Sequence, residues 1–219
     1  MTLLSIDLGC GAKKRAGAIG LDFEPGPGVD HVVDFSRDRL PFADHSVGAV
    51  YSSHCLEHLP DLEHIFKEIS RVCASGARVE LWHPHSMHRD AFSFGHHLFL
   101  NEGHYLQIST AAPQHWAKFL GARWIVQELV FAIPGEVLQE LTEAGIDADF
   151  AVKYLNNVVC ELGAFIEIDK SGALPLSGVA PRRVYAVSRK PEDRHPLEPP
   201  QPPRTEHFSE RLRRLIQRR

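Results

Sequence analysis

The chain has no apolar run approaching the ~20 residues that cross a bilayer, so the sequence speaks against an integral membrane protein. Its first residues, Met1 to Asp7, lack the basic head and long apolar stretch of a secretory leader. Cysteine is sparse: Cys10, Cys55, Cys73 and Cys160 are scattered, with no C-x-x-C pair. That usage suits free thiols in a reducing compartment, and the expected location is cytoplasmic. Positive charge is also lacking from the body. Residues 191–219 hold seven arginines against five acidic residues, while the remainder holds 17 basic and 23 acidic side chains. An acidic body offers no broad basic face for phosphates, so nucleic acid is not an expected partner.

What the sequence does have, over 219 residues with 43% hydrophobic and 24% charged side chains, is the makings of a one-domain globular core. Residues 3–8 read as a buried strand, followed by short strands at Ala18–Asp22 and His31–Val33 and a fourth within Val47–Ser53. Leu62, Ile65, Phe66, Ile69 and Val72 recur at helical spacing, which predicts a helix over 61–73. Strands follow at Ala77–His83, Trp124–Phe131 and Arg182–Ser188, with helices expected at Gly135–Glu143 and Asp149–Phe165. This alternation predicts a seven-stranded, mostly parallel α/β sheet of Rossmann-like form, with helices on both faces and the last strand antiparallel. Residues 1–190 form the expected domain, with 84–115 and about 135–180 as lid or substrate insertions. Residues 191–219 read as a Pro-rich linker and a basic amphipathic tail.

The chemistry gathers at the strand ends. The first strand runs into Gly9-Cys10-Gly11, and glycine is needed where backbone must approach a ligand or take positive φ. Ligands of open α/β sheets sit beyond the carboxyl ends of the strands. Asp22 ends the second strand, where a carboxylate can accept from ribose hydroxyls; Asp34 ends the third, within reach of an adenine amino group. The fourth strand ends in Ser52-Ser-His-Cys-Leu-Glu-His58. A nicotinamide-binding Rossmann turn requires a third glycine where Lys14 stands, which weighs against that reading.

Taken with Gly20-Leu-Asp22, Leu40-Pro-Phe-Ala-Asp44, Ser46, Val50 to His58, Glu68 and Arg71-Val72, the pattern resembles class I S-adenosylmethionine-dependent methyltransferases. It is most similar to a small, type 11-like branch with a shortened first crossover, and the likeness covers about the first 85 residues. About six residues separate Gly11 from the second strand, too few for a full helix, so a loop must present the methionine end of the cofactor. The resemblance implies S-adenosyl-L-methionine as cofactor. It places Asp7, Gly9, Cys10 and Gly11 at the methionine moiety, Asp22 at the ribose, Asp34 and Phe35 at the adenine, and Ser53 and His54 beneath the sulfonium. Glu57 and His58 would brace the turn rather than touch ligand. The Asp/Asn-Pro-Pro-aromatic motif of amino-methylating DNA enzymes is absent after the fourth strand, where Ser52 to Cys55 stand.

The implied activity is methyl transfer to the oxygen or nitrogen of a small-molecule acceptor by in-line displacement. The alternative is a protein that binds S-adenosylmethionine without transferring methyl, such as a cyclase or assembly factor. His54, His83 and His85, at the ends of the fourth and fifth strands, are the candidate catalytic bases or substrate orienters. Six histidines lie between residues 83 and 104, yet no H-E-x-x-H or similar fixed-spacing pair occurs. They read as polar pocket lining and surface, and no metal ligand is assigned. The tail reads as a solvated terminus, with peripheral contact to an anionic membrane or a partner protein as the alternative.

Overall fold

The computed structural model of the protein describes residues 3–172 and 180–188; the linker and tail read from the sequence lie outside them. Strands β1 (Leu4–Leu8), β2 (Ile19–Asp22), β3 (His31–Val32), β4 (Val47–Ser53) and β5 (Cys73–Pro84) come first, with helix α1 (Glu63–Val72) between the last two. Helices α2 (Glu102–Leu106) and α3 (Pro113–Leu120), strand β6 (Arg123–Ile133), helices α4 (Gly135–Glu143) and α5 (Ala148–Tyr154), and strands β7 (Glu161–Asp169) and β8 (Arg182–Val187) follow. They build one eight-stranded sheet in the order β3-β2-β1-β4-β5-β7-β6-β8.

The first five strands are parallel, which sends the carboxyl ends of β1, β2, β3 and β4 to one rim. Their order reverses direction of travel beside β1, where open α/β sheets bind ligand. Helix α1 buries Ile65, Phe66, Ile69 and Val72, the stripe read from its sequence. Arg71 on the same helix ties down the Leu40–Asp44 loop: its guanidinium donates to the Leu40 and Phe42 carbonyls and to Asp44 and Glu68. The spaced motif Leu-Pro-Phe-x-Asp and Glu-x-x-Arg is thus one structural clamp.

Two expectations are corrected. The helix expected over Asp149–Phe165 ends at Tyr154, and Glu161–Asp169 is instead the antiparallel strand β7, inserted between β5 and β6. Val158, Val159, Leu162 and Phe165 satisfy a helical spacing, but Leu155 is extended and Asn157 takes φ 60°, which breaks the helix. From Leu162 a period of two takes over: Leu162, Ala164, Ile166 and Ile168 are buried in the main core, while Phe165 and Glu167 turn the other way. The stretch expected as an insertion at about 135–180 includes β7, an internal strand of the sheet. Consequently the last strand is not the antiparallel one. β8 is an eighth strand on the far edge, paired parallel to β6.

Buried residues from all five helices join one core cluster. A second, smaller cluster of Trp82, Val130 and Ala132, with Tyr51, Phe165, Val184 and Ala186 against it, comes from strands and Cys160 alone. Among the described residues, helices cover one face of the sheet rather than both. The crossovers from β1 to β2 and from β2 to β3 are too short to carry a helix, and loops take their place. Trp82 lies across the second face above Gly163, where a Cβ would meet its ring at 2.6 Å.

Candidate cofactor site

A cleft of about 670 Å³ opens at the carboxyl-end rim, within the size range of small-molecule and cofactor sites. It is lined by Gly9 after β1, Asp22, Phe23 and Glu24 after β2, Asp34, Phe35 and Ser36 after β3, and His54, Cys55, His58, Leu59 and Pro60 after β4. Five of the residues expected at the cofactor, Gly9, Asp22, Asp34, Phe35 and His54, meet here. Chain order scatters them; the parallel strands bring them to one rim.

The turn after β1 is built for close approach. Gly9 takes φ 72° and Gly11 takes φ 49°, and a Cβ on Gly9 would stand 2.4 Å from that of Cys55. The N–H of Gly11 donates to Asp22 Oδ2 at 2.8 Å, closing the loop onto β2. Asp22 Oδ1 accepts only a long bond, 3.3 Å, from the N–H of Glu24. A carboxylate offers about four acceptor sites, so Asp22 keeps capacity for hydroxyl donors at the cleft. Asp34 is held by Ser36, whose N–H and hydroxyl both donate to Oδ1, and its carboxyl stays below its usual pKa for that reason. Phe35 beside it is buried. This pairing of acceptors with an apolar wall, beside a glycine turn that only bare backbone fits, suits an adenosyl group.

Asp7, Cys10, Gly11 and Ser53 do not line the cleft. Asp7 is buried beneath the loop, where Oδ2 accepts the N–H of Arg15 at 2.7 Å. Burial pushes its pKa up to about 6, against that N–H and the Arg15 charge. Cys10 is turned to the Gly28 carbonyl, and burial raises its thiol to about 11.

The three candidate catalytic histidines separate. His54 takes the left-handed conformation, φ 53°, at the end of β4 and lines the cleft. Its Nε2 lies 2.6 Å from Glu161 Oε1 and its Nδ1 3.3 Å from Glu57 Oε1. Hydrogen bonding to Glu161, then to Glu57, raises its pKa to about 9. With both ring nitrogens turned to carboxylates, His54 is a positioned cation rather than a free base. His83 and His85 are corrected out of the cleft. His83 is fully buried, its ring stacked on Tyr105 at 5.7 Å and its Nδ1 2.9 Å from the Pro84 carbonyl; burial lowers its pKa to about 4. His85 is buried with Nε2 3.1 Å from Glu102 Oε2, and its Nδ1 accepts the N–H of Met87. His83 stands opposite Leu162 of β7, and His85, just past β5, donates its backbone N–H to the Cys160 carbonyl, so both are held in packing.

Phe23, Glu24, Ser36, Cys55, His58, Leu59 and Pro60 line the cleft without having been expected there. For His58 a signal was present: it sits four residues after His54 in a short 3-10 turn, Leu56–His58, that follows the strand end directly.

Comparisons with known proteins add likenesses of sequence and of fold. Residues 6–81 match the family model described as "Methyltransferase domain". Over 105 residues, 48% of this chain and 34% of the relative, the sequence is 31% identical to ajmaline N-methyltransferase of Rauvolfia serpentina. The chain thus spans about a third of the length of that curated relative. The fold is similar to that of a crystal structure of a SAM dependent methyltransferase from Archaeoglobus fulgidus, with TM-score 0.54 and 13% identity over 75% of this chain and 86% of that one. Residues 6–81 are thus similar to a methyltransferase domain, and the fold is like that of a SAM dependent methyltransferase.

Proposed function

We propose that the protein is an enzyme that transfers a methyl group from S-adenosylmethionine to the oxygen or nitrogen of a small-molecule acceptor, by in-line displacement. The observation that carries this reading is the convergence of Gly9, Asp22, Asp34, Phe35 and His54 on one cleft at the rim where β1 to β4 end. Bound there, the cofactor supplies a methyl group already activated by the sulfonium charge. The chain's own residues bind and orient. Asp22 accepts the ribose hydroxyls, Asp34 and Phe35 hold the adenine, and the backbone at Gly9 lets the ligand lie against β1. His54, fixed between Glu57 and Glu161, places a ring at the cleft wall with both nitrogens engaged by carboxylates. The remaining requirement is to hold an acceptor atom near 3 Å from the methyl carbon and in line with the breaking bond, which is chiefly an orientation effect.

A small acceptor is supported by the acidic body and by the histidine- and aromatic-rich segment 86–112 beside the site. An N-methyl acceptor is favoured by the likeness to ajmaline N-methyltransferase. The test is direct. Isothermal titration with S-adenosylhomocysteine should give one site, and incubation with S-adenosylmethionine and a panel of amines, phenols and alcohols should release S-adenosylhomocysteine with one methylated product. Tight binding with no turnover on any acceptor would favour the reading of a cofactor-binding protein that transfers no methyl.

A further inference from the structure

Beside the cofactor cleft, the fold brings a distant histidine to two neighbouring side chains that can ligate a metal. Glu57 and His58 belong to the 3-10 turn after β4; His96 belongs to the loop that crosses it, 38 residues further on. One ligand atom from each lies within 4.8 Å of the others. We propose that Glu57, His58 and His96 form a binding site for a divalent transition-metal ion of the zinc or ferrous class, open on the side of the cofactor cleft.

Three observations support the site. First, Glu57 is 2% exposed; its Oε1 faces His54 Nδ1 at a long 3.3 Å, and among the described residues its Oε2 has no hydrogen-bond donor. A buried carboxylate left short of donors is costly, and native structures pair such groups with charge or metal. Second, both imidazoles are already oriented. His58 Nδ1 lies 2.9 Å from the Gly95 carbonyl and His96 Nδ1 lies 3.2 Å from the Ala91 carbonyl. A carbonyl only accepts, so each Nδ1 carries the proton and each Nε2 the lone pair. This is the outer hydrogen bond that fixes the tautomer of metal-binding histidines. The two rings stand edge to face, with centroids 4.7 Å apart. Third, the two segments are locked together: the N–H groups of His97 and Leu98 both donate to the Glu57 carbonyl, at 2.7 and 3.1 Å.

Two imidazoles and one carboxylate form a donor set used for catalytic zinc and for non-haem ferrous iron, with further positions left to water or substrate. A tetrahedral zinc with bonds near 2.0–2.1 Å holds its donor atoms about 3.3 Å apart. The 4.8 Å cluster would have to contract to that spacing around the ion. His58 also lines the cofactor cleft. The open coordination position would therefore face the space where an acceptor must sit, and a metal-bound acceptor oxygen or nitrogen would be presented from that wall. The metal site stands on its own residues and does not depend on methyl transfer.

The test uses the full chain without a polyhistidine tag, stripped with chelator and titrated with zinc chloride against a chromophoric zinc indicator. One equivalent should bind, and Co²⁺ substitution should produce the visible d–d bands of a four- or five-coordinate site. His96→Ala and Glu57→Gln should each weaken zinc binding by more than ~100-fold, whereas His115→Ala, at an exposed histidine remote in sequence, should leave it unchanged. His96→Ala should keep its thermal transition and its affinity for S-adenosylhomocysteine, which separates metal loss from unfolding. Substoichiometric zinc, or one equivalent held equally well by His96→Ala and Glu57→Gln, overturns the site. Failure of the cofactor titration with zinc binding intact would count against the methyltransferase reading alone.

Discussion

The Arg15 guanidinium donates to Glu80 Oε2 at 2.7 Å, joining the loop after β1 to a buried carboxylate in β5. Glu80 is 1% exposed, and its other oxygen accepts the indole N–H of Trp82 at 2.7 Å. Arg15 also lies over the Tyr51 ring, 4.3 Å from its centroid. One arginine in a ten-residue crossover thereby caps part of a sheet face that no helix of the described residues covers. Removing it strands a buried charge. Arg15→Met should cost about 3–5 kcal/mol of unfolding free energy, whereas the double change with Glu80→Gln should recover much of that loss. Chemical denaturation of the four proteins in the cycle measures the coupling; equal losses in the single and double variants would show that the pair is not what holds the loop.

Asp22 is expected to carry cofactor affinity. A hydrogen bond to a charged acceptor contributes about 1.5–3 kcal/mol, and Asp22 also holds the N–H of Gly11. Asp22→Ala should weaken S-adenosylhomocysteine binding by at least ~10-fold to 100-fold in calorimetry, with little change in thermal stability. An unchanged dissociation constant removes the ribose assignment.

His85 behaves differently from what its place at a strand end suggests. It packs beneath the surface and joins Glu102 on α2 to the Met87 backbone. His85→Ala should therefore lower stability by about 1–3 kcal/mol, the cost of leaving buried polar partners unmade, while cofactor affinity at low temperature stays the same. A large loss of turnover without any loss of stability would restore it as a group acting on substrate.

Asp7 gives a pH signature. Burial raises its folded-state pKa from 3.8 to about 6, against the opposing Arg15 N–H and charge and the Lys14 charge, with Asp22 adding to the rise. The folded state then binds the proton more tightly than the unfolded state. Its contribution to stability is greatest below pH 4, falls as pH rises through about 6, and is constant above. Asp7→Asn keeps an oxygen for the Arg15 N–H and lacks this titration. The stability of the variant relative to the parent should therefore climb between pH 4 and 6, by up to about 3 kcal/mol. A difference that is flat over that interval would place the Asp7 pKa at its ordinary value.

Gly163 is the packing test. A methyl there would enter the Trp82 ring at 2.6–2.8 Å. Gly163→Ala should destabilise by about 1–3 kcal/mol through overpacking, and Gly163→Ala with Trp82→Leu should restore part of it. A stable single variant would mean that the indole shifts freely over the sheet.

Much of the first half was legible because its signals are local. Glycine at a strand end, an acid at the next, and the helical stripe from Leu62 to Val72 each fix backbone form within a few residues. Asp22, Asp34 and His54 could be placed at the rim because parallel pairing puts successive strand ends on one side. Over residues 149–169 the signals were ambiguous. Val158, Val159, Leu162 and Phe165 fit a helix as well as a strand, and only pairing of β7 with β5 and β6 decided between them. The histidines were illegible for a similar reason. A side chain at a strand end can turn into a cleft or into packing, and sequence spacing carries no information about the segment that closes over it.

The sequence by itself determined the parallel frame of the first five strands and the polar strand ends along its rim, because propensity, glycine conformation and strand order all act through neighbouring residues. Tertiary structure alone decided that β7 is the antiparallel strand, that His83 and His85 are buried, and that His96 comes to rest beside Glu57 and His58. Those outcomes depend on long-range packing, in which a side chain's partner is set by burial of distant segments and not by its position along the chain.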